Sequence, residues 1–270
     1  MPKILINGID IHYQTRGKGP NVTLIHGLAS NMAFWYFSVF SRLIRNFRVT
    51  IYDLRGHGYS GSTVTGYKPY EMANDLELLL DNLNIENSHL VGHSYGGLIA
   101  LHYAVKCPDK VSSIILADTG MSIPYPKKRN KSNRNLLTEI FETEGLNLDR
   151  NRINDIDYLI HKTNIIQKNN RNKDRQGLVI NLNRIKKLSK STTIMRDFSA
   201  MSLNDLKRIL DLHIPIKGIY GEKSHNLYVC NYLSKHMKDF KYAIIPNTRH
   251  FHPIEQTDKF LEILLGYLNQ

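Results

Sequence analysis

The sequence predicts an α/β protein, with a mainly parallel sheet covered by helices on both faces. Two observations carry this. Short runs rich in Val, Ile and Leu recur along the chain, and stretches with helical apolar spacing separate most of them. The length, 270 residues of which 41% are apolar, suits one large α/β domain with a real core and an inserted subdomain.

The elements follow in order. Ile4–Gln14, "ILINGIDIHYQ", reads as β structure folded at Asn7-Gly8, and Asn21–Gly27 follows the Gly17-Lys18-Gly19-Pro20 breaker. Phe47–Asp53, Ser88–Ser94 and Lys110–Asp118 are the next strand-like runs; Ile214–Gly221 and Phe240–Pro246 come late in the chain. Helices are expected over 36–45, 69–83, 95–107, 226–238 and 255–268. Asp75, Leu76, Leu79, Leu80 and Leu83 show the amphipathic rhythm. From about 120 to 205 the alternation stops. That stretch is polar, basic and helix-rich, and it reads as an insertion into a core formed by 1–119 and 206–270.

The formal net charge is +12, and residues 119–200 hold 17 Lys/Arg against 8 Asp/Glu, a balance of +9. Either an anionic partner docks there, or the composition has drifted toward Lys, Asn and Ile. Two distant cysteines, Cys107 and Cys230, suggest neither a disulfide framework nor a metal site. No secretory leader and no stretch of bilayer length is read, so a cytoplasmic protein is expected. The sequence has no helix-turn-helix, zinc finger or aromatic-basic platform, which argues against nucleic-acid binding.

Gly92-His93-Ser94-Tyr95-Gly96 matches G-x-S-x-G, a sharp strand-to-helix turn that lifts a serine hydroxyl above the end of a sheet. The helix N-terminus beneath Ser94 places partial positive charge where negative charge would develop. An oxyanion needs two fixed N–H donors. Tyr95 supplies one, and Leu28, after His26-Gly27, is the natural second. His26 is expected to brace this loop and to border the pocket. Of 12 histidines, His250 stands between a strand and the last helix, where a loop reaches the serine; His252 is its rival.

Together with "YDLRGHGYSG" and "PNTRHFHPIEQTDKF", these residues resemble the α/β-hydrolase superfamily over almost the whole chain outside the insertion. The resemblance implies the α/β-hydrolase fold: an eight-stranded, mostly parallel sheet with a helical cap at 120–205. It implies Ser94 as nucleophile, His250 as base, and Leu28 and Tyr95 as oxyanion donors, with no metal or organic cofactor. Asp53, Arg55 and His57 carry over as a structural turn only.

The third member departs from the family pattern. Gly221-Glu222-Lys223-Ser224-His225 has serine where many relatives carry the acid. Three readings stay open: the acid is Asp118 at the end of the sixth strand, or it is Glu222, or the triad is incomplete. The implied chemistry is acyl transfer by a carboxylesterase or thioesterase. Phe34, Trp35, Tyr36 and Phe37, with Met121, Ile123, Phe198 and Met201, are candidates to line an apolar acyl pocket. Packing of the first helix competes for the four aromatics. Lys127, Lys128, Arg129, Arg134, Arg171, Arg175, Lys186 and Lys187 suggest docking of an acidic acyl carrier protein. A lyase or carbon–carbon hydrolase on the same scaffold, or a slow-turnover binding protein, are the alternatives.

Overall fold

The computed structural model describes residues 2–121, 123, 148–152, 155, 158, 161–162, 182–197 and 203–270. At its centre is an eight-stranded sheet in the order β1-β2-β4-β3-β5-β6-β7-β8. The strands are β1 (Lys3–Ile6), β2 (Ile9–Arg16), β3 (Asn21–Ile25), β4 (Arg48–Tyr52), β5 (Ser88–His93), β6 (Val111–Ala117), β7 (Ile216–Gly221) and β8 (Lys241–Ile245). The first two pairings, β1–β2 and β2–β4, are antiparallel, and the remainder are parallel. Asn7 and Gly8 both have positive φ, as a two-residue hairpin requires, so the first apolar run becomes two strands.

The described helices are α1 (Ala33–Trp35), α2 (Ser41–Leu43), α3 (Pro69–Asn82), α4 (Tyr95–Lys106), α5 (Leu182–Ser191), α6 (Ile194–Asp197), α7 (Leu203–Leu210), α8 (Leu227–His236), α9 (His252–Glu255) and α10 (Thr257–Leu268). Alternation along each strand sends side chains to two cores. In β5 and β6, Leu90, Ile114 and Leu116 join the core under α3, α4, α7 and α8. Their neighbours Val91, Ile115 and Ala117 join the core under α1, α2 and α10. Helix α3 starts cleanly because Pro69 fits its first turn and Glu71 accepts the Lys68 N–H at 3.0 Å.

The first predicted helix differs in form. The chain turns helical at Ala33, passes through a π-helical stretch at Tyr36–Phe40 and ends at Leu43. Phe34, Trp35 and Phe40 are buried while Phe37 is 76% exposed. The wider turn leaves Tyr36 and Phe37 exposed while Phe34, Trp35 and Phe40 stay in the core.

Residues 118–215 separate β6 from β7, which is where the insertion is expected. Its first residues are pinned to the core. Asn226 Nδ2 donates to the Asp118 carbonyl at 2.9 Å, Tyr220 to the Thr119 carbonyl at 3.3 Å, and Tyr228 to the Met121 carbonyl at 3.1 Å. Later on, Leu188 and Ile194 pack against the buried Tyr67 with Leu28 and Met195 alongside. Among the described residues no helix is long and apolar enough to cross a membrane.

Candidate active site

Parallel strands deliver their loops to one edge of the sheet, so the C-terminal ends of β3, β5, β6, β7 and β8 converge there. Ser94 follows β5 and caps α4 with φ 53° and ψ −119°, a region that non-glycine residues rarely occupy. Two glycines make the turn geometrically feasible. A Cβ on Gly92 would fall inside the backbone of Gly96 and Gly97, and one on Gly96 would strike the Ile25 and His26 carbonyl oxygens. The Ser94 N–H donates to the Ala117 carbonyl at 2.9 Å, which fixes the turn to the end of β6.

Asp118, one residue beyond β6, also has a positive φ, 52°, and is fully buried. Its carboxylate gathers donors from the loop after β7. Ser224 Oγ donates to Oδ1 at 2.5 Å, Asn226 Nδ2 to Oδ1 at 3.1 Å and the Gly221 N–H to Oδ2 at 3.0 Å. The fourth partner is His250, whose Nδ1 lies 3.1 Å from Oδ1. Burial pushes the His250 imidazole pKa down to about 3, so the ring is neutral at pH 7. With Nδ1–H given to the carboxylate, Nε2 keeps its lone pair. Of the three readings of the acid, the geometry brings only Asp118 to His250. Glu222 is exposed and accepts the Asn247 N–H at 2.8 Å, on the outer side of the loop.

His93, the variable residue of the serine motif, ties this pair to Ser94. Its Nε2 donates to the His250 carbonyl at 2.9 Å, and the two rings lie 4.7 Å apart. The rival His252 sits behind, fully buried, donating from Nε2 to the Ile219 carbonyl at 3.1 Å. The Ser94 hydroxyl has no hydrogen-bond partner among the described residues. Catalytic hydrogen bonds of this kind often tighten only around a bound substrate.

The loop after β3 crosses close above the serine: a Cβ on Gly27 would be 3.0 Å from Ser94 Cβ. Neither the Leu28 nor the Tyr95 N–H has a hydrogen-bond partner among the described residues; Tyr95 opens α4, where N–H groups are left free by the helix itself, and Leu28 lies in the half-buried loop. Sequence reasoning treated the Asp53–His57 turn as structural and missed how directly it builds this loop. Asp53 accepts the Met32 N–H at 2.8 Å, His57 Nε2 accepts the Ala29 N–H at 3.2 Å, and His26 Nε2 accepts the Leu54 N–H at 3.0 Å. Asp53 itself is held by His12 at 2.7 Å. The signal was present in the density of Asp, His and Gly, but their partners lie 20 or more residues away.

The expected pocket residues divide. Trp35 and His26 are fully buried. Trp35 stacks on Phe260 in the core and His26 braces the loop, so neither forms an open wall, and packing explains Trp35. Phe34 stacks on His93 with centroids 4.5 Å apart, directly beneath the site. Met121 is buried and Ile123 half-buried, both against the α3–α4 core. Leu28 itself contacts Tyr67, Leu188 and Ile194, an apolar patch that sequence periodicity did not single out. Phe198, Met201, Lys127, Lys128, Arg129, Arg134, Arg171 and Arg175 lie outside the described residues. Among the described residues no cluster of three or more His, Cys, Asp or Glu could hold a metal ion.

Residues 20–140 match the family model described as alpha/beta hydrolase fold. An uncharacterised protein of Mycobacterium bovis is 36% identical over 115 residues, which is 43% of this chain and 33% of that protein. A soluble epoxide hydrolase of Corynebacterium sp. strain C12 is 33% identical over 129 residues, 45% of each chain. The match thus spans between a third and a half of these relatives' length. The solved structure of an esterase from Exiguobacterium antarcticum superposes with a TM-score of 0.76, covering 99% of both chains at 20% identity.

Proposed function

Since the chain has the α/β-hydrolase fold, we propose that it is a serine hydrolase acting on a carboxylic ester or thioester of an apolar acyl group. The observation that carries this reading is the buried Asp118–His250 pair, packed against His93, the residue that precedes a serine on a strained turn. In the proposed cycle His250 Nε2 takes the Ser94 proton as Oγ attacks the acyl carbon. The Leu28 and Tyr95 N–H groups receive the oxyanion, a stabilisation of roughly 2.7–4 kcal/mol per donor. Asp118 holds the ring and offsets its transient charge. His250 then protonates the leaving group, and water, deprotonated by the same ring, releases the acid from Ser94.

The apolar patch of Leu28, Leu188, Ile194 and Met195 favours an apolar acyl group. Docking of an acidic acyl carrier protein on the basic insertion is part of the same proposal; Lys187 is exposed and Lys186 half-buried. A panel of p-nitrophenyl esters of increasing chain length, with a fluorophosphonate label read by mass spectrometry, tests the reading. The expected result is ester turnover and a label on Ser94, both abolished in Ser94→Ala. Turnover by Ser94→Ala at the wild-type rate ends it.

A further inference from the structure

At the edge of the sheet opposite Ser94, the starts of β5 to β8 and the loops feeding them enclose an open cavity of about 850 Å3. That volume falls in the range of small-molecule sites, roughly 300–1,000 Å3. Its lining includes the apolar Leu212 and Phe240 and the cations Lys217, Lys238 and Lys241, with a single acidic side chain, Asp239.

Lys217 is the unusual member. It is 6% exposed, and its ammonium donates to the Tyr267 carbonyl at 2.7 Å and lies 5.2 Å from that ring's centroid. No carboxylate pairs with it among the described residues. Its register partner across β7 and β8 is Lys241, a second cation, and like charges directly opposite on neighbouring strands destabilise a sheet. The field of the cluster shows in its neighbours. Burial and then Lys241 push the Lys217 pKa down; burial and then Lys217 do the same to His89 on the cavity wall. A buried cation without a counter-ion costs free energy, which a bound anion would recover.

We infer that this cavity binds an amphipathic anion, its charged head at the Lys217–Lys241 cluster and its apolar part against the lining residues Leu212 and Phe240. The site lies at the far ends of the strands from Ser94 and does not depend on the hydrolase reading.

Calorimetric titration of the whole protein with octanoate, octanol and inorganic phosphate tests it. Octanoate is expected to bind, with affinity falling as salt rises. Octanol and phosphate, each lacking half of the chemistry, are expected to bind at least about tenfold more weakly. Lys238→Gln/Lys241→Gln changes two exposed side chains and should weaken octanoate by at least about tenfold. Lys217→Met should abolish the octanoate-induced rise in melting temperature. Three outcomes would overturn the inference: no octanoate binding at millimolar concentration, wild-type affinity in the double variant, or phosphate binding as tightly as octanoate.

Discussion

Replacing Asp118 by Asn removes a charge and leaves the side-chain shape nearly intact. The carboxylate accepts from Ser224, Asn226 and His250 on Oδ1 and from the Gly221 N–H on Oδ2. An amide can keep its oxygen toward the first three. Its NH2 then faces the Gly221 N–H, donor against donor, at a cost of about 1–3 kcal/mol in stability. The larger effect is on turnover, because His250 must become positive in the transition state 3.1 Å from this position. With an effective dielectric near 20, the lost attraction at that distance is about 5 kcal/mol, or roughly 10⁴-fold in kcat. Steady-state hydrolysis of p-nitrophenyl butyrate measures kcat, and thermal melting separates it from loss of fold. Glu222→Gln is the control, with turnover unchanged. A folded Asp118→Asn protein within tenfold of the wild-type kcat would refute the assignment, as would a comparable loss in Glu222→Gln.

Three further predictions rest on the same geometry. Ser224→Ala removes one hydrogen bond to a buried carboxylate, so kcat should fall roughly 10- to 100-fold with little change in KM, and Ser224→Thr should restore most of it. Gly96→Ala drives a methyl into the carbonyls at the end of β3 and should cost at least about 2 kcal/mol by urea denaturation, with loss of turnover. Burial lowers the pKa of His93, His250 and His252 to about 3 each, so the unfolded chain takes up protons that the native state refuses. Stability should therefore be complete above pH 6.5 and drop below it, by about 4 kcal/mol between pH 7.5 and 5.5, measured as unfolding free energy in urea. A flat profile over that range would contradict the burial of these rings.

Local patterns made much of this molecule legible. The eight strands follow from apolar runs and from the Asn7-Gly8 turn, and Ser94 stands out because G-x-S-x-G encodes a contact among neighbours. The acid was not legible in the same way. Choosing between Asp118 and Glu222 depends on which carboxylate meets His250, and Asp118 and His250 lie 132 positions apart in sequence. Ser224 stands where many relatives carry the acid, and its hydroxyl instead donates to the Asp118 carboxylate. Trp35 illustrates the opposite error. An aromatic cluster beside an oxyanion loop has the composition of a pocket, yet burial against Phe260 decides its role. The Asp53–His57 turn is expected to be structural, and its hydrogen bonds to Met32 and Ala29, 21 and 28 positions away, are visible only in the folded loop.

The stem of the insertion has consequences for how such a chain diversifies. Asp118 opens the segment that leaves β6, and Asn226, Tyr220 and Tyr228 anchor the carbonyls of residues 118, 119 and 121. These ties work as a strain relief, as a clamp does on a cable. A segment that leaves the core from a stem held this way can vary in sequence while the hydrogen bond between Asp118 and His250 keeps its geometry.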